Sequence, residues 1–393
     1  MVDEIRKHAE AIHGDIVTIR RHLHKHPELS FQEYETAAFV KSQLDLLGIR
    51  WRAVANTGIL AEITGELPSH TVIALRADMD ALPINEQNDV PYASVHPNIM
   101  HACGHDFHTA SLLGTARILT SMRSKFGGKV KLFFQPGEEV IPGGATHMIR
   151  DGVLENPKVD AVIGQHAMPH LEVGKIGIRK GKAMASMDSI FVRVIGRGGH
   201  GAQPHANVDP VVIASHIILA LQQIVSRMAH PGDPTVLSFG KVIANGAINV
   251  IPNEVLMEGT FRAMNETWRE EAHRRMTKMA TEIAESMGGR CEFNIQRGYP
   301  FLINNEKLTD QVRQCAEEYV GADNVVEQDI WMAAEDFAYY SQQADACFYF
   351  CGVGNQKKGI GSSLHTPTFN IDESVLTLST GLMTYIALKR LGS

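Results

Sequence analysis

The sequence of 393 residues is poor in cysteine, and it has no excess of positive charge. Five scattered cysteines are too few for the framework of a disulfide-stabilised domain. A net charge of −7 argues against nucleic acid as the main partner, because nucleic-acid-binding proteins usually carry a basic face. The most apolar stretch, residues 211–225, is too short to cross a bilayer, and the N-terminal segment lacks the apolar core of a signal peptide. These absences predict a soluble cytoplasmic protein that binds neither nucleic acid nor membranes.

Histidine, in contrast, is abundant, with 19 residues. Histidine is the commonest metal ligand in proteins and the usual acid or base near neutral pH. The composition therefore favours metal or proton chemistry. The length predicts two or three domains, at roughly 150 residues for each.

Strands and helices alternate along the first part of the chain. The predicted elements are helices at 3–23, 33–47 and 106–121 and strands at 58–64, 71–76, 130–134 and 161–164. This alternation is typical of an α/β domain with a largely parallel central sheet flanked by helices. We expect Asp106 to be the N-cap of its helix.

The pattern changes near residue 185. From there the sequence predicts a strand, a helix opened by Asp209 and Pro210, two strands, a second helix and a last strand. This β-α-β-β-α-β order is ferredoxin-like. After residue 300 the α/β character returns. We therefore predict a discontinuous domain of residues 1–184 and 299–393, with a smaller ferredoxin-like domain of residues 185–298 inserted in it.

Residues suited to metal binding lie next to the predicted strands and helices. Cys103 and His105 come just before the helix at 106, and Glu138 and Glu139 follow the strand at 130–134. Each pair alone is weak evidence for a metal site, because buried thiols and solvated loop carboxylates are common. Neighbouring side chains in an extended or turn backbone point apart, so one carboxylate could bind a metal ion while the other faces a bound water.

Two histidines extend this set. His166 follows a strand that is predicted to end near Gly164, and His365 lies in a loop after an apolar run. In open α/β sheets, ligands gather beyond the carboxyl ends of the strands. The separations between these residues along the sequence are too long for a zinc finger. They suit a site that is assembled when distant segments fold together.

Nine segments, spread almost from end to end, carry a family resemblance. They are HKHPELSFQEYET (24–36), RADMDALP (76–83), MHACGHD (100–106), PGEE (136–139), GQHAMP (164–169), GGHGAQPH (198–205), INVIPN (248–253), EDF (335–337) and LHTP (364–367). The sequence resembles the dinuclear metallo-aminoacylase and metallocarboxypeptidase family. It is most similar to the branch of hippurate hydrolase and the plant indole-acetyl-amino-acid hydrolases. The resemblance implies two divalent metal ions in a catalytic α/β domain and a ferredoxin-like lid that often dimerises, hence a homodimer or higher homo-oligomer.

The resemblance also implies roles for individual residues. The metal ligands would be Cys103, His105, Glu139, His166 and His365. Glu138 would be the general base. On the lid, His200 would stabilise the oxyanion, often in the partner subunit's site, and Asn249 and Arg262 would hold the carbonyl or carboxylate of the substrate.

Two positions depart from the wider family pattern. Arg76 stands where that family has a histidine ligand, which Asp78 would orient. This departure is usual in the branch where Cys103 takes up a ligand role. In AAEDFAYY (333–340), Ala-Ala replaces an expected Gly-Ser, and nothing in the sequence explains the consequence.

Together these features predict a metal-dependent amidohydrolase. It would cleave N-acyl-L-amino acids, with N-acetyl or aromatic N-acyl groups, into a carboxylate and a free amino acid. A metal-activated water would attack the amide, with Glu138 as general base. A thiolate among imidazoles and carboxylates suits Zn, Mn, Co or Ni and does not choose between them. A dipeptidase or carboxypeptidase of the same fold and an N-acetyl-diaminopimelate deacetylase remain open.

Three other interpretations have less support. GRGGHG (196–201) spells a dinucleotide-binding fingerprint, but Pro204 follows where a helix should open, and residues 216–221 have no acidic residue. Cys103 as a nucleophile would leave the Glu138–Glu139 pair unexplained. A metal-bearing peptide-binding module without activity would not need Glu138, which is present.

Overall fold

The computed structural model describes residues 1–392, which divide into two compact units. The first unit is formed by Met1–Ala183, Ile303–Asp329 and the chain from Asp336 onwards. The second unit is formed by Met184–Leu302 and Ile330–Glu335. Residues 330–335, which the sequence-based prediction placed in the first domain, belong to the second unit. Within that unit, the Ala185 amide donates to the carbonyls of Trp331 and Ala333.

The helices and strands are as follows. The α-helices are α1 (Val2–Ala11), α2 (His13–Lys25), α3 (Tyr34–Leu46), α4 (His105–Ser121), α5 (Gly144–Arg150), α6 (Pro210–Gln223), α7 (Glu266–Ser286), α8 (Glu306–Val320), α9 (Ala338–Ser341) and α10 (Val375–Leu391). The strands are β1 (Arg50–Val54), β2 (Gly58–Thr64), β3 (Leu67–Asp78), β4 (Gly127–Gln135), β5 (Ala161–Glu172), β6 (Ile176–Ile178), β7 (Gly181–Met184), β8 (Asp188–Ile195), β9 (Gly199–His200), β10 (Thr235–Ile243), β11 (Val250–Ile251), β12 (Glu254–Ala263), β13 (Arg290–Arg297), β14 (Leu302–Asn304), β15 (Val325–Glu327) and β16 (Asp345–Gly354). The predicted helix at 3–23 is thus two helices, which meet at Ile12.

The first unit is built on an eight-stranded sheet with the order β1-β2-β4-β3-β5-β16-β6-β15. The four central strands, β4, β3, β5 and β16, run parallel to one another. Towards the edges, β2 pairs antiparallel with β4, β1 with β2, and β6 with β16. The α/β fold with flanking helices is confirmed, and the sheet is mixed because antiparallel strands complete both sides of its parallel centre.

The register of the central strands places their carboxyl ends side by side. Asp78, the last residue of β3, lies opposite Gln135, the last residue of β4. Along β5, the pairing with β3 ends where Gly164 meets Arg76. The loops that leave these strands therefore emerge at one edge of the sheet, where ligands gather in open α/β folds.

The second unit is a four-stranded antiparallel sheet with the order β10-β12-β8-β13. In chain order its strands are therefore arranged 2-3-1-4, and α6 and α7 complete the ferredoxin-like fold. Asp209 caps α6 as predicted, since its side chain accepts from the amide of Val211 at 2.8 Å and Pro210 is the first helical residue.

One helix of the second unit is long and apolar enough, by length and composition, to cross a membrane. It runs from Pro210 to Met228, because a turn of π-helix (Ile224–Met228) extends α6 beyond the stretch that the sequence analysis judged too short. Its inner side, which includes Ile213, Ile217 and Leu221, packs in the core of this unit. A helix that packs on a sheet satisfies the same composition test as a membrane span.

Candidate metal centre

Helix α4 begins at His105, and Gly104 rather than Asp106 is its N-cap. Gly104 has φ +90°, and a Cβ there would lie 2.8 Å from the Cβ of Ala167, so only glycine fits without strain. The predicted N-cap, Asp106, is buried in the first turn. It accepts from Arg20 Nε at 2.7 Å and pairs with His24 Nδ1 at 2.8 Å. This ion pair fixes the start of α4, which carries His105.

The loop after β4 turns both glutamates towards the same cluster. Gly137 has φ +59°, and a Cβ there would lie 2.5 Å from the ring of Phe31. One oxygen of Glu138, one oxygen of Glu139 and one ring nitrogen of His105 all lie within 4.8 Å of one another. Both carboxylates therefore reach the cluster, although the two residues are neighbours in the chain.

His166 lies inside a strand rather than after one. Strand β5 continues to Glu172 and keeps its pairing with β16, in which His166 lies opposite Phe350. The prediction that the strand ends near Gly164 is wrong for this reason. Gly164 is nevertheless the last residue of β5 that pairs with β3, so His166 lies where the sheet opens.

His365 comes from the loop that follows β16. Its backbone has φ +59°, an uncommon conformation for a residue with a side chain, and its amide donates to the carbonyl of Ala102 at 2.8 Å. That hydrogen bond ties His365 to the segment just before Cys103. Its side chain is about half exposed, at 51%.

The five predicted ligands meet in the first unit. Cys103 Sγ lies 3.5 Å from His166 Nε2 and 3.4 Å from His365 Nε2. Glu139 Oε1 lies 3.3 Å from His365 Nε2 and 3.8 Å from His105 Nε2. Tetrahedral coordination with bonds of about 2.0–2.3 Å separates neighbouring ligand atoms by about 3.3–3.8 Å. The distances in the cluster therefore suit ligands that share metal ions.

Two histidines of the cluster are oriented through their Nδ1 atoms. His105 Nδ1 lies 2.8 Å from the carbonyl oxygen of Asp80 and 3.2 Å from its carboxylate. His166 Nδ1 lies 2.8 Å from the carbonyl oxygen of Ala167. With these acceptors, Nδ1 carries a proton in each ring, which leaves Nε2 as the atom that faces the cluster. Metal-bound histidines commonly have this arrangement.

His108 contacts the same backbone residue, Ala167, that orients His166. Its Nδ1 lies 2.6 Å from Asp78 Oδ1, and its Nε2 accepts from the Ala167 amide at 2.8 Å. The peptide groups around Ala167 thus contact both histidine rings. Asp78, which the resemblance identifies as an orienting aspartate, thus contacts His108, a residue outside the predicted site.

Arg76, which stands where the resemblance leads one to expect a histidine, is a buried positive charge. Its guanidinium donates to Asp336 Oδ1 at 2.8 Å and to Gln135 Oε1 at 3.1 Å, and it pairs with Asp78. These contacts balance two buried carboxylates with a side chain that cannot bind a metal ion. Burial raises the pKa of Asp336 to about 6 although Arg76 opposes it.

The electrostatics of the cluster favour a bound cation. Burial raises the pKa of the Cys103 thiol well above its usual range, and the nearby carboxylates, Glu139 first, raise it further. Burial acts to lower the pKa of His105, but carboxylates led by Asp78 outweigh it and raise this pKa to about 10. Burial lowers the pKa of His166 well below its usual range, so this ring stays neutral. Cys103 and His105, which hold their protons strongly, also attract a metal ion that can replace those protons, and the neutral His166 ring needs to lose none.

Unsatisfied atoms point to the same conclusion. His105 Nε2 and Glu139 Oε1 are buried, and neither makes a hydrogen bond within residues 1–392. A buried polar atom without a partner costs about 1–3 kcal/mol, and a metal ion would remove that cost for both atoms. The donor set of one thiol, three imidazoles and a carboxylate therefore fits a metal centre.

The lid residues lie in the second unit. His200 pairs with Val250 where β9 meets β11, and the Gly201 amide donates to the carbonyl of Asn249 at 2.8 Å, so His200 and Asn249 lie close together. Both are exposed. Arg262 lies on β12, where its Nε donates to Thr260 Oγ1 at 3.1 Å and its Nη1 to the carbonyl of Met332 at 3.3 Å.

Sequence reasoning missed two buried carboxylates near the cluster, Asp80 and Glu33. Both lie in the segments that carry the family resemblance, RADMDALP and HKHPELSFQEYET. Their place in these two segments is the only sequence feature that could have pointed to them. The sequence gives no sign that these carboxylates are buried or which amides they contact.

Comparisons with known proteins agree with this geometry. The model of peptidase family M20/M25/M40 matches residues 74–389. N-acetyl-L-cysteine deacetylase of Bacillus subtilis is 41% identical over 377 residues, covering 96% of this chain and 88% of that protein. N-acyl-L-amino acid amidohydrolase of Geobacillus stearothermophilus is 44% identical over 306 residues, covering 78% and 82%. The solved structure of the Bacillus subtilis YXEP protein, a dinuclear metal binding peptidase, matches with a TM-score of 0.83 at 35% identity, covering 97% of this chain and 99% of that chain.

Proposed function

The chain belongs to peptidase family M20/M25/M40 and is a hydrolase, and we propose that it cleaves the amide bond of N-acyl-L-amino acids. The products are a carboxylate and a free amino acid. The observation that carries the proposal is the cluster of Cys103, His105, Glu139, His166 and His365, with Glu138 beside it. Two divalent metal ions are the cofactor in this proposal, because several possible ligand groups overlap at Cys103, His105 and Glu139 and a similar solved structure is that of a dinuclear metal binding peptidase.

We propose a role for each residue of the cluster. Cys103, His105, Glu139, His166 and His365 hold the metal ions. When bound, the ions supply a positive charge that polarises the amide carbonyl and lowers the pKa of water from about 15.7 towards about 7. The buried residues keep the centre dry, apart from the half-exposed His365, and this strengthens every charge interaction within it.

Glu138 is the group that moves the proton. Its carboxylate is 6% exposed and lies within 4.8 Å of the ligand atoms of His105 and Glu139. There it accepts a proton from the attacking water as the new C–O bond forms. It then delivers that proton to the amide nitrogen as the C–N bond breaks, so the amine leaves in neutral form. Such a general base contributes roughly 10²–10⁴-fold to the rate.

The lid supplies the binding groups in this proposal. His200 donates to the oxygen that becomes negative in the tetrahedral intermediate, and Asn249 binds the carbonyl. Arg262 pairs with the free α-carboxylate of the substrate, because a guanidinium binds a carboxylate through two parallel hydrogen bonds. Burial lowers the pKa of Arg262, and Asp188 opposes this. A partly buried arginine of this kind gains from an anionic ligand.

A substrate panel tests the function and the role of Arg262 together. N-acetyl, N-benzoyl and dipeptide substrates, each with a free α-carboxylate or its amide, are assayed with Zn, Mn, Co or Ni. We expect hydrolysis of the N-acyl acids and a strong preference for the free carboxylate. Arg262→Ala should lower kcat/KM for the acids by at least about tenfold, the scale of a charge-assisted hydrogen bond, and change the amides little.

The panel also separates the alternatives. Faster turnover of dipeptides than of every N-acyl acid would replace the proposal with a dipeptidase or carboxypeptidase activity. Preference for N-benzoyl over N-acetyl substrates would support the hippurate hydrolase branch that the sequence motifs resemble. Equal losses for acids and amides in Arg262→Ala would remove Arg262 from the carboxylate site.

We propose further that the lid forms a homodimer. The outer side of α6 exposes apolar residues, with Leu219 71%, Val212 45% and Val211 39% exposed. The outer side of α7 instead carries charged residues such as Arg274 and Lys278. Exposed apolar surface at the edge of a small domain is typical of a protein interface.

Leu219→Glu should disrupt this dimer, because it places a charge in the apolar patch. We expect the unchanged enzyme to migrate as a dimer in analytical ultracentrifugation, and Leu219→Glu to shift towards monomer at the same concentration. Thr277→Glu, on the exposed side of α7, is the matched control and should remain dimeric. A monomeric unchanged enzyme, or a dimeric Leu219→Glu variant, would contradict this interface.

The five cysteines, which are all buried free thiols, suit a reducing compartment. We propose a cytoplasmic location on this basis.

A further inference from the structure

We propose that Glu33 is a positioning residue that aims the general base, Glu138, by holding the backbone of its loop. The inference rests on the proposed function, since it concerns the base of that reaction. Glu33 lies just before α3, more than a hundred residues from Glu138 in the sequence.

Glu33 holds the loop through a fully buried carboxylate. Its side chain is 0% exposed. Oε1 accepts from the amide of Phe31 and from the amide of Gly137, both at 2.8 Å. Oε2 accepts from the hydroxyl of Thr57 at 2.6 Å. The contact with Gly137 fixes the residue directly before Glu138.

A second buried carboxylate holds the other side of Glu138. Asp80 Oδ2 accepts from the Glu139 amide at 3.0 Å and from the Ser30 hydroxyl at 2.6 Å. The amides before and after the Glu138 residue are therefore both held by buried carboxylates. Asp80 also contacts His105, so a variant at Asp80 would disturb a proposed metal ligand. Glu33 contacts the loop without contacting any of the five proposed ligands. A change at Glu33 therefore tests the orientation of Glu138 without disturbing a metal ligand.

The backbone at Gly137 gives this contact its importance. Gly137 adopts φ +59°, a conformation that glycine reaches without strain. The hydrogen bond that the Gly137 amide donates to Glu33 fixes the orientation of the peptide before Gly137, and the Gly144 amide donates to the Gly137 carbonyl at 3.0 Å. A small rotation there would move the Glu138 carboxylate, and a displacement of about 1 Å in a catalytic group can cost about 10²-fold in rate.

The hydrogen-bonding pattern defines which replacements should work. Burial, and then repulsion by Asp80, raise the pKa of Glu33 to about 7, so a neutral side chain is compatible with this position. Glutamine can accept from Phe31 and Gly137 with its oxygen and donate to Thr57 with its amide. Aspartate keeps the charge but is one methylene shorter, so it cannot reach Gly137 from the same backbone position.

A double-mutant cycle with Glu138→Gln tests the inference. We expect Glu33→Ala and Glu33→Asp each to lower kcat by at least about tenfold, with KM and metal content within about twofold of the unchanged enzyme. Glu33→Gln should restore most of kcat. In the Glu138→Gln background, Glu33→Asp should cost less than about twofold, because a base that is absent cannot be misplaced. Glu35→Ala, an exposed carboxylate in the same segment, is the control and should leave kcat unchanged.

Three results would overturn the inference. One is a Glu33→Asp enzyme with normal kcat. Another is an equal loss from Glu33→Asp with and without Glu138, which would show that Glu33 acts elsewhere. The third is a Glu33→Gln variant as slow as Glu33→Asp. An unchanged enzyme that hydrolyses no member of the substrate panel would instead contradict the proposed function, which separates the two failures.

Discussion

Replacing Glu138 with glutamine should lower kcat by at least about 10²-fold and leave the metal content unchanged. Glutamine has almost the same shape as glutamate but cannot accept a proton from water at neutral pH. Glu138 lies within 4.8 Å of the ligand atoms of His105 and Glu139, so it reaches the centre without belonging to the five proposed ligands. The loss should therefore appear in kcat rather than in metal content.

The neighbouring residue provides the matched control. Glu139 Oε1 lies 3.3 Å from His365 Nε2 and 3.8 Å from His105 Nε2, as a shared ligand should. Glu139→Gln should lose metal as well as activity, measured by elemental analysis of the dialysed protein. A Glu138→Gln enzyme with near-normal turnover would remove Glu138 from the role of base. Equal metal loss in both variants would mean that the two glutamates have the same role.

Removal of the metal ions should abolish activity, and Cys103→Ala should prevent its recovery. A chelator followed by dialysis should leave the unchanged enzyme inactive, and added Zn, Mn, Co or Ni should restore it. Cys103 Sγ contacts both His166 Nε2 and His365 Nε2. Its loss therefore removes a proposed metal ligand that lies next to two others. Loss of one ligand or its support commonly costs 10- to 100-fold or more in metal affinity.

A second buried cysteine separates metal binding from loss of a thiol. Cys315 lies on α8 and is 4% exposed, and it belongs to none of the possible ligand groups among residues 1–392. Cys315→Ala should keep its metal and its activity. If the chelated enzyme stays active while alkylation of Cys103 inactivates it with metal bound, the thiol is a nucleophile and the metal mechanism is wrong.

Local sequence patterns predict much of this fold. Apolar runs mark β2, β4 and β8 within a few residues, and the Asp209–Pro210 pair marks the start of α6. These features depend on neighbours in the chain, which the sequence displays directly. The end of β5 was misplaced because its continuation past Gly164 depends on β16, almost two hundred residues away. No local sequence pattern predicts the pairing of β5 with β16.

The candidate site shows the same division. Cysteine, histidine and paired glutamates stand out by residue type, so the sequence could nominate them as metal ligands. The supporting groups could not be found in this way. Asp106 looks like a helix cap but pairs with Arg20, and Glu33 looks like any surface glutamate but is fully buried. Their roles follow from burial and from contacts between distant segments, which only the folded chain reveals.

Anomalous X-ray diffraction from crystals grown with Mn or Zn tests the central claim most directly. The account predicts two anomalous peaks in the first unit, with Cys103, His105, Glu139, His166 and His365 as the protein ligands and bonds of about 2.0–2.3 Å. A map without peaks among these five side chains, while the same crystals hold metal elsewhere or none at all, would contradict it.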